Sequence, residues 1–255
     1  MKNSENFNQK SNYYIIGRQS YPQEIVKILL QKNQINMVEK TSVADVGAGT
    51  GLFSQALLAQ NLQVNLVEPN SEMLLQAKKT LMSKDNITFS LGSAECTNLP
   101  ALSQDLVTAA QAFHWFNADL FKKECQRILK PSDKVMLVWN SRDIKAPIME
   151  ECAEVAKRFC ENFKGYSAGM DINNSQQFET FFKDGKINCL NFSNNLIYNE
   201  AEFIARSLSS SYAPTSKDLQ YTAYIKAIKE VFRRYCNTNY QVTIENTLCS
   251  YCGYV

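Results

Sequence analysis

The sequence lacks the marks of a nucleic-acid-binding, secreted or membrane protein. Its formal net charge is +2, and its basic residues form isolated pairs instead of a dense run, which disfavours DNA or RNA as a substrate. Residues 1–12 are polar and contain no apolar region of the kind that a secretory signal needs. No apolar stretch approaches the roughly 20 residues that span a bilayer. These absences predict a cytoplasmic protein without a membrane segment.

Histidine is almost absent, and the signal for a metal site is weak. The chain has one histidine, His114, and eight cysteines. In a long chain without a secretory signal, such cysteines are expected to be reduced thiols. Cys249 and Cys252 have metal-ligand spacing, but no second Cys/His pair accompanies them. We therefore expect no metal site.

Residues 1–140 alternate short apolar segments with amphipathic ones. Strands are predicted over Val43–Val46, Val64–Val67, Ile87–Leu91, Leu106–Ala112 and Val135–Trp139, with helices between them. The helix after Asn117 is expected to stop at Pro131. This alternation indicates an α/β fold, a doubly wound and mostly parallel sheet with helices on both faces. Ligands of such sheets bind beyond the carboxyl ends of the strands.

The pattern changes after Pro147. A long helix is predicted from Ile148 to Phe163, and a polar, irregular segment follows over residues 164–185. Further along, alternate positions are apolar in two places, which predicts one strand over 190–198 and a final strand from Val242 onward, with two helices between them. No linker is long enough to separate two domains, so we expect one domain over residues 1–255.

The glycine-rich segment Asp45–Gly51, with the sequence DVGAGTG, carries the clearest ligand signal. It follows the first strand, and Gly47, Gly49 and Gly51 have no side chain to keep a ligand from the backbone. The dinucleotide fingerprint needs G-x-G-x-x-G, and Leu52 stands where its third glycine belongs. An ordinary glycine-rich turn is the alternative.

Three other strand ends carry candidate ligand contacts. Glu68 ends the second strand, where a carboxylate can accept two hydrogen bonds from a ribose diol. Gly92–Glu95 follows the third strand, and Gln111–Phe116, with the single histidine, follows the fourth. A diol occurs in several adenosine cofactors, so Glu68 alone does not separate them.

Together these segments resemble a known family. Asp45–Gly51 resembles the first motif of the class I S-adenosylmethionine (SAM)-dependent methyltransferases. Gln111–Phe116, Trp139–Asp143 and Tyr13–Pro22 resemble the subgroup that includes the trans-aconitate methyltransferases. The likeness runs from about residue 10 to about residue 145, and the remainder is similar in pattern only. It implies a Rossmann-like, seven-stranded sheet whose last strand is antiparallel.

The resemblance also implies an organisation and a cofactor. Residues 1–145 are expected to form the SAM-binding core, 146–240 the lid and substrate elements, and 241–255 the final strand. The cofactor is SAM and the product S-adenosylhomocysteine. The implied cofactor-binding residues are Arg18, Asp45, Gly47, Ala48, Gly49, Gly51, Glu68, Pro69, Met73, Ser93, Ala94 and Gln111.

Some of these residues have an implied role. Glu68 faces the ribose, Met73 the adenine, and Arg18 the methionine carboxylate. Ser93 stands where the family usually has an acid, and Gln111 contacts the methionine end mainly through its backbone. For Met73 a plain core position, and for Arg18 a helix covering the sheet edge, are the alternatives.

On the acceptor side, the resemblance makes His114 and Tyr14 catalytic candidates and Trp115 and Arg142 substrate contacts. A hydroxyl or amine acceptor would use His114 as its base, whereas a carboxylate needs no base and would depend on Arg142. The alternatives are a structural histidine in an aromatic cluster and an ion pair of Arg142 with Asp143. The partner is expected to be a small molecule, and neither its identity nor the oligomeric state follows from the sequence.

The predicted function is methyl transfer from SAM to a small-molecule acceptor by in-line displacement. Three rivals stay open: an NAD-dependent oxidoreductase, a non-catalytic SAM-binding protein on the same fold, and an RNA methyltransferase. The glycine spacing argues against the first of these, and the near-neutral charge argues against the last.

Overall fold

The computed structural model describes residue 13 and residues 16–166 and 180–255. The chain folds into two compact units. Among the described residues, the sheet unit comprises 20–140, 180–192 and 248–255, and the second unit comprises 13, 16–19, 141–166 and 193–247. The single domain expected from the sequence, with its core in residues 1–145, stays a prediction.

The sheet unit alternates strands and helices along most of its length. Its elements are α1 (Gln23–Lys32), β1 (Ser42–Val46), α2 (Leu52–Leu58), β2 (Gln63–Glu68), α3 (Ser71–Leu81), β3 (Ile87–Leu91), β4 (Gln104–Ala110), α4 (Ala118–Ile128), β5 (Leu129–Arg142), β6 (Asn188–Ser193) and β9 (Asn246–Gly253). One turn of 3₁₀-helix, Phe113–Trp115, lies between β4 and α4.

The strands form one sheet in the order β3-β2-β1-β4-β5-β9-β6. The neighbours from β3 to β5 are parallel. The last strand of the chain, β9, is inserted antiparallel between β5 and β6. Strand order reverses on either side of β1, because the chain goes outward to β2 and β3 and then returns to β4. This confirms the predicted doubly wound, mostly parallel sheet.

Alternate residues of the central strands enter two different cores, as the pleat of a strand requires. Val43 on β1 belongs to one core, which also holds buried residues of α1, α2 and α3. Its neighbour Ala44 belongs to the other, with buried residues of α4 such as Phe121 and Ile128. Helices therefore cover both faces of the sheet, as predicted.

The end of α4 differs from the prediction that Pro131 stops this helix. The helix ends at Ile128, and Leu129 is already extended (φ −69°, ψ 142°) and begins β5. Pro131 lies inside β5, where the pairing register with β4 shifts between Gln104 and Leu106. Proline is tolerated at such an irregularity because a regular ladder hydrogen bond is not lost.

The second unit contains α5 (Pro147–Phe159), β7 (Leu196–Tyr198), α6 (Glu200–Leu208), α7 (Tyr221–Tyr235) and β8 (Val242–Ile244). β7 and β8 form an antiparallel two-stranded sheet, in which Leu196 pairs with Ile244. These elements share a core of their own, which includes Phe203 and Phe232.

Two predicted strands are each divided in the structure. The strand expected over 190–198 is β6 and β7, and the final strand expected from Val242 is β8 and β9; in both cases the halves belong to different sheets. The breaks fall at Asn194–Asn195 and at Glu245. Asn246 joins the two breaks: its carbonyl accepts from the Asn194 amide at 2.8 Å, and its amide donates to the Asn195 side chain at 3.2 Å. The alternation of apolar and polar residues continues where the chain passes from one sheet to the other. Periodicity alone therefore did not reveal that each predicted strand is divided.

Within the described ranges, no helix is long and apolar enough to cross a membrane.

Candidate active site

The three motif glycines have positive φ angles but different surroundings. A Cβ on Gly47 (φ +67°) would lie 2.8 Å from Phe116, and a Cβ on Gly51 (φ +84°) would lie 2.7 Å from Leu81. A Cβ on Gly49 (φ +59°) would meet only the Met73 sulfur within 4 Å, at 3.7 Å. Gly47 and Gly51 therefore serve close packing, whereas Gly49 borders open space beside Met73.

Glu68 ties the glycine turn to the end of β2. Its Oε2 accepts a hydrogen bond from the Gly49 amide at 2.8 Å, and its Oε1 accepts one from the Asn70 amide at 2.9 Å. Burial raises the pKa of this carboxyl, and the two amide bonds partly oppose that shift. A carboxylate has about four acceptor positions, so two remain for a ligand hydroxyl pair.

Asp45 is held inside the protein. It has no exposed surface; its Oδ2 accepts from the Ser54 hydroxyl at 2.5 Å and its Oδ1 from the Thr108 hydroxyl at 2.9 Å. Burial raises the pKa of Asp45 to about 6. These bonds join β1, α2 and β4 directly beneath the glycine turn. Asp45 is therefore placed to position the turn.

The turn also carries one incompletely bonded polar group. The Thr50 hydroxyl is buried and has no hydrogen-bond partner in the described part of the chain. Buried hydroxyls are normally paired. Together with the space at Gly49 and the spare acceptor positions of Glu68, this fits the binding of a hydroxyl-bearing cofactor such as SAM.

The residues after β2 and β3 surround this turn with small or buried side chains. Asn70 caps α3 by accepting from the amide of Met73 at 3.0 Å, which fixes the buried Met73 beside the turn. After β3, Ser93 pairs with Cys96 in an isolated bridge, and Ala94 is buried between them. Of the other predicted residues, Pro69 is exposed, and the amide of Ala48 donates to the Val67 carbonyl at 3.2 Å.

Gln111 has a strained backbone at the end of β4. Its φ of 57° is left-handed, which costs a non-glycine residue about 1–3 kcal/mol. Two bonds hold it there: its amide donates to the Val138 carbonyl at 2.8 Å, and its Nε2 donates to the Asn140 carbonyl at 3.0 Å. Strain fixed in this way is concentrated at functional sites.

The aromatic segment after Gln111 divides into buried and exposed residues. Phe113 is fully buried in a cluster with Phe121, Trp139 and Phe181. His114 and Trp115 lie outside it: Trp115 is 40% exposed, and the two rings are 5.0 Å apart.

The imidazole of His114 has no hydrogen-bond partner in the described ranges. The residue is exposed to solvent, but the surrounding protein partly desolvates the ring, and this desolvation lowers the pKa of His114. The neutral form, which can accept a proton, therefore dominates at pH 7.

Arg142 lies in the second unit among other arginines. Its guanidinium stacks over the ring of Tyr166 at 4.8 Å. Burial, followed by the charges of Arg206 and Arg18, lowers the pKa of Arg142 to about 10. Within residues 16–166 and 180–255 no carboxylate forms an ion pair with Arg142, and Asp143 instead accepts from the Lys145 amide at 2.9 Å.

Arg18 also belongs to the second unit, where its Nε donates to the Ser209 hydroxyl at 3.1 Å. The sequence interpretation missed Arg206, which is only 7% exposed. One signal was present: Arg206 follows the core residue Phe203 by three positions on α6, which places both on the same helix face.

Some predictions fall beyond the described residues. Tyr14 is one of them; its neighbour Tyr13 has its hydroxyl 2.6 Å from that of Tyr221. Residues 167–179 are also outside, so the lid expected over 164–185 stays a prediction.

The sheet topology is shared with proteins of known structure. A sheet in this order, with the last strand antiparallel beside β5, is the fold of the class I methyltransferases. Residues 44–137 match the family described as methyltransferase domain.

Similar proteins carry the same description. The chain is 34% identical over 146 residues to an uncharacterized methyltransferase of Schizosaccharomyces pombe, covering 57% of this chain and 56% of that one. It is 35% identical over 145 residues to an uncharacterized methyltransferase of Mycobacterium bovis, again with 57% and 56% covered. The match therefore spans little more than half the length of these curated relatives.

Solved structures share the fold. A candidate type II methyltransferase from Anaeromyxobacter dehalogenans superposes with a TM-score of 0.64 at 18% identity, covering 93% of this chain and 97% of that one. The narrower likeness to trans-aconitate methyltransferases stays a prediction.

Proposed function

We propose that the protein transfers a methyl group from SAM to a small-molecule acceptor. The observation that carries the proposal is the link between Glu68 and Gly49: a buried carboxylate with spare acceptor positions is fixed beside the one motif glycine that borders open space. SAM supplies a methyl group on a sulfonium, which is activated for in-line displacement. The protein's part is to bind, orient and exclude water.

Each cofactor residue then has a defined task. Glu68 accepts from the ribose hydroxyls, Met73 packs on the adenine, and Ser93 and Ala94 line the adenine edge. The strained backbone of Gln111 contacts the methionine end. Asp45 acts through the turn that it positions, and the role of Arg18 at the methionine carboxylate stays a prediction.

The acceptor is handled by His114 and Trp115. Trp115 offers an exposed ring for an apolar part of the acceptor, and His114 removes a proton when the acceptor is a hydroxyl or amine. Tyr14 is a further catalytic candidate. We expect neither a metal ion nor nucleic acid to take part. A cytosolic location is supported by the eight cysteines, all of which are free thiols.

The direct test is isothermal titration of the purified chain with SAM, S-adenosylhomocysteine and NAD. We expect SAM and S-adenosylhomocysteine to bind and NAD to give no heat. Glu68→Gln should weaken both adenosyl ligands, whereas Glu72→Gln, which alters an exposed carboxylate near the start of α3, should not. Binding of NAD without any response to SAM would overturn the proposal in favour of an oxidoreductase.

Turnover is tested separately with methyl-labelled SAM and a panel of small carboxylates, phenols and amines. Transfer to any of them supports the proposal. Binding of SAM without transfer to any acceptor would identify a non-catalytic SAM-binding protein. Transfer only to RNA, with strongly salt-dependent binding, would identify an RNA methyltransferase.

A further inference from the structure

Three arginines lie together in the second unit. A Cβ on Gly17 would collide with the backbone of Ala205 and Arg206, so the segment that carries Arg18 packs directly on α6. The charges of Arg206 and Arg18 both act on Arg142. Ser209 also joins Arg18 to α6, because its hydroxyl accepts from Arg18 Nε at 3.1 Å and donates to the Arg206 carbonyl at 2.7 Å. Arg142, Arg18 and Arg206 come from three separate parts of the chain.

Aromatic rings lie against two of these arginines. Arg142 lies over the ring of Tyr166 at 4.8 Å, and Arg206 over the ring of Tyr198 at 5.5 Å. Phe163 packs edge-on against both Tyr166 and Tyr212, at 5.2 and 4.8 Å between ring centroids. Contacts with ring faces stabilise a cation but do not neutralise it.

No described group supplies the missing negative charge. Within the described ranges, neither Arg142 nor Arg206 has a carboxylate at ion-pair distance. Burial raises the pKa of the Cys152 thiol to about 11 and raises that of Tyr166 further, so both groups are neutral at pH 7. Buried charges are costly unless they are paired.

The donors of both arginines are also open to a ligand. Within the described ranges, the fully buried side-chain atoms that lack a hydrogen-bond partner do not include a nitrogen of Arg142 or Arg206. Any nitrogen of these two side chains that lacks a partner therefore keeps access to solvent. A guanidinium presents its donors as a planar fork that matches a carboxylate or phosphate in two parallel bonds. Two such forks suit a ligand with two negative charges.

We propose that Arg142 and Arg206 form a binding site for a compact dianion, either a small dicarboxylate or a phosphate monoester. The binding site stands on the second unit alone and does not depend on the proposed function.

The test measures binding of succinate and of inorganic phosphate to the full chain at pH 7, with glycerol as the uncharged control. We expect one of the two anions to bind and to raise the melting temperature. Arg142→Gln and Arg206→Gln should each weaken binding about ten-fold or more, since each removes a charge-assisted pair. The response to succinate or to phosphate decides which dianion is preferred.

Arg158→Gln is the matched control, because Arg158 also stacks on an aromatic ring, that of Phe159 at 5.1 Å, but is exposed on α5. It should bind the anion as the unmodified protein does. Arg206→Lys keeps the charge and loses the fork, so it should fold and still bind more weakly.

Two outcomes would overturn the site: no binding of either anion, or equal binding by the Gln variants and the unmodified protein. Failure of SAM to bind would overturn the proposed function and leave the dianion site standing. Methyl transfer to uncharged acceptors, together with no binding of either anion, would overturn the dianion site and leave the proposed function standing.

Discussion

The Oε2 atom of Glu68 accepts a hydrogen bond from the amide of Gly49 at 2.8 Å. This bond joins the end of β2 to the turn after β1, and the same carboxylate is bonded to the Asn70 amide ahead of α3. One side chain therefore fixes the relative positions of the turn, a strand end and the start of a helix.

The first prediction concerns the stability that Glu68 provides. Glu68→Ala leaves the half-buried Gly49 amide and the buried Asn70 amide without their partner, so the free energy of unfolding should fall by about 2–4 kcal/mol. Urea denaturation measures the loss. Glu72→Ala, at an exposed position, should change it by less than about 1 kcal/mol. Equal losses in the two variants would contradict the role given to Glu68.

A second prediction contrasts two glycines of the motif. Gly51→Ala places a methyl group 2.7 Å from Leu81 and should destabilise the fold strongly. Gly49→Ala meets only the Met73 sulfur at 3.7 Å, so its cost should be that of the left-handed backbone alone, about 1–2 kcal/mol.

The same two variants distinguish an effect on folding from an effect on SAM binding. Gly49→Ala should lose affinity for SAM in isothermal titration while remaining folded, because its methyl group enters the space beside Met73. Full SAM affinity in this variant would show that the cofactor lies elsewhere.

Asp45 provides a third prediction, on pH. Burial raises its pKa in the folded state to about 6, from the ordinary value of 3.8. The folded state therefore binds more protons than the unfolded state between these values, and stability falls as pH rises from about 4 to about 6. The loss amounts to about 3 kcal/mol.

The variant that tests this pH dependence is Asp45→Asn, whose side chain cannot ionise but keeps one oxygen as an acceptor. Urea denaturation across the same pH range should show a flatter profile than that of the unmodified protein. Asp119→Asn, an exposed change on α4, should keep the original slope. A slope unchanged in Asp45→Asn would refute the assignment.

The fourth prediction tests His114 as a base. His114→Gln should leave SAM affinity and stability nearly unchanged, because the ring is exposed and has no hydrogen-bond partner in the described part of the chain. With a hydroxyl or amine acceptor, turnover should fall about 100-fold or more. The rate of the unmodified enzyme should rise with pH through a pKa below the ordinary histidine value and then level off.

A carboxylate acceptor is already a nucleophilic anion and needs no base. With a dicarboxylate as the acceptor, His114→Gln should therefore keep the rate of the unmodified enzyme. Undiminished turnover with every acceptor class would make His114 structural.

Much of the fold followed from the sequence because short-range patterns determined it. Strands such as Val43–Val46 carry apolar residues on both faces, and the structure places adjacent residues in two separate cores. The divided strands could not be foreseen, since a segment keeps its alternation when it leaves one sheet for another. That choice depends on long-range bonds such as the one between Asn194 and Asn246.

The candidate site, like the fold, could be predicted from the sequence only in part. The motif predicted a glycine turn, but the packing partners of Gly47 and Gly51 lie far away in the chain, so the special position of Gly49 emerged only in three dimensions. Arg206 was overlooked because a single arginine in an amphipathic helix normally faces solvent. In the structure its guanidinium lies over the ring of Tyr198 at 5.5 Å, a contact that the sequence pattern does not reveal.

The short helix Phe113–Trp115 places very different constraints on neighbouring positions. Phe113 is locked in the aromatic core, whereas 40% of Trp115 is exposed. On the proposed function, mutations at 114 and 115 can alter which acceptor is methylated at little cost to folding, while a change at 113 removes the support for both. Divergence of substrate preference among relatives should therefore concentrate on these two positions and leave the preceding phenylalanine unchanged.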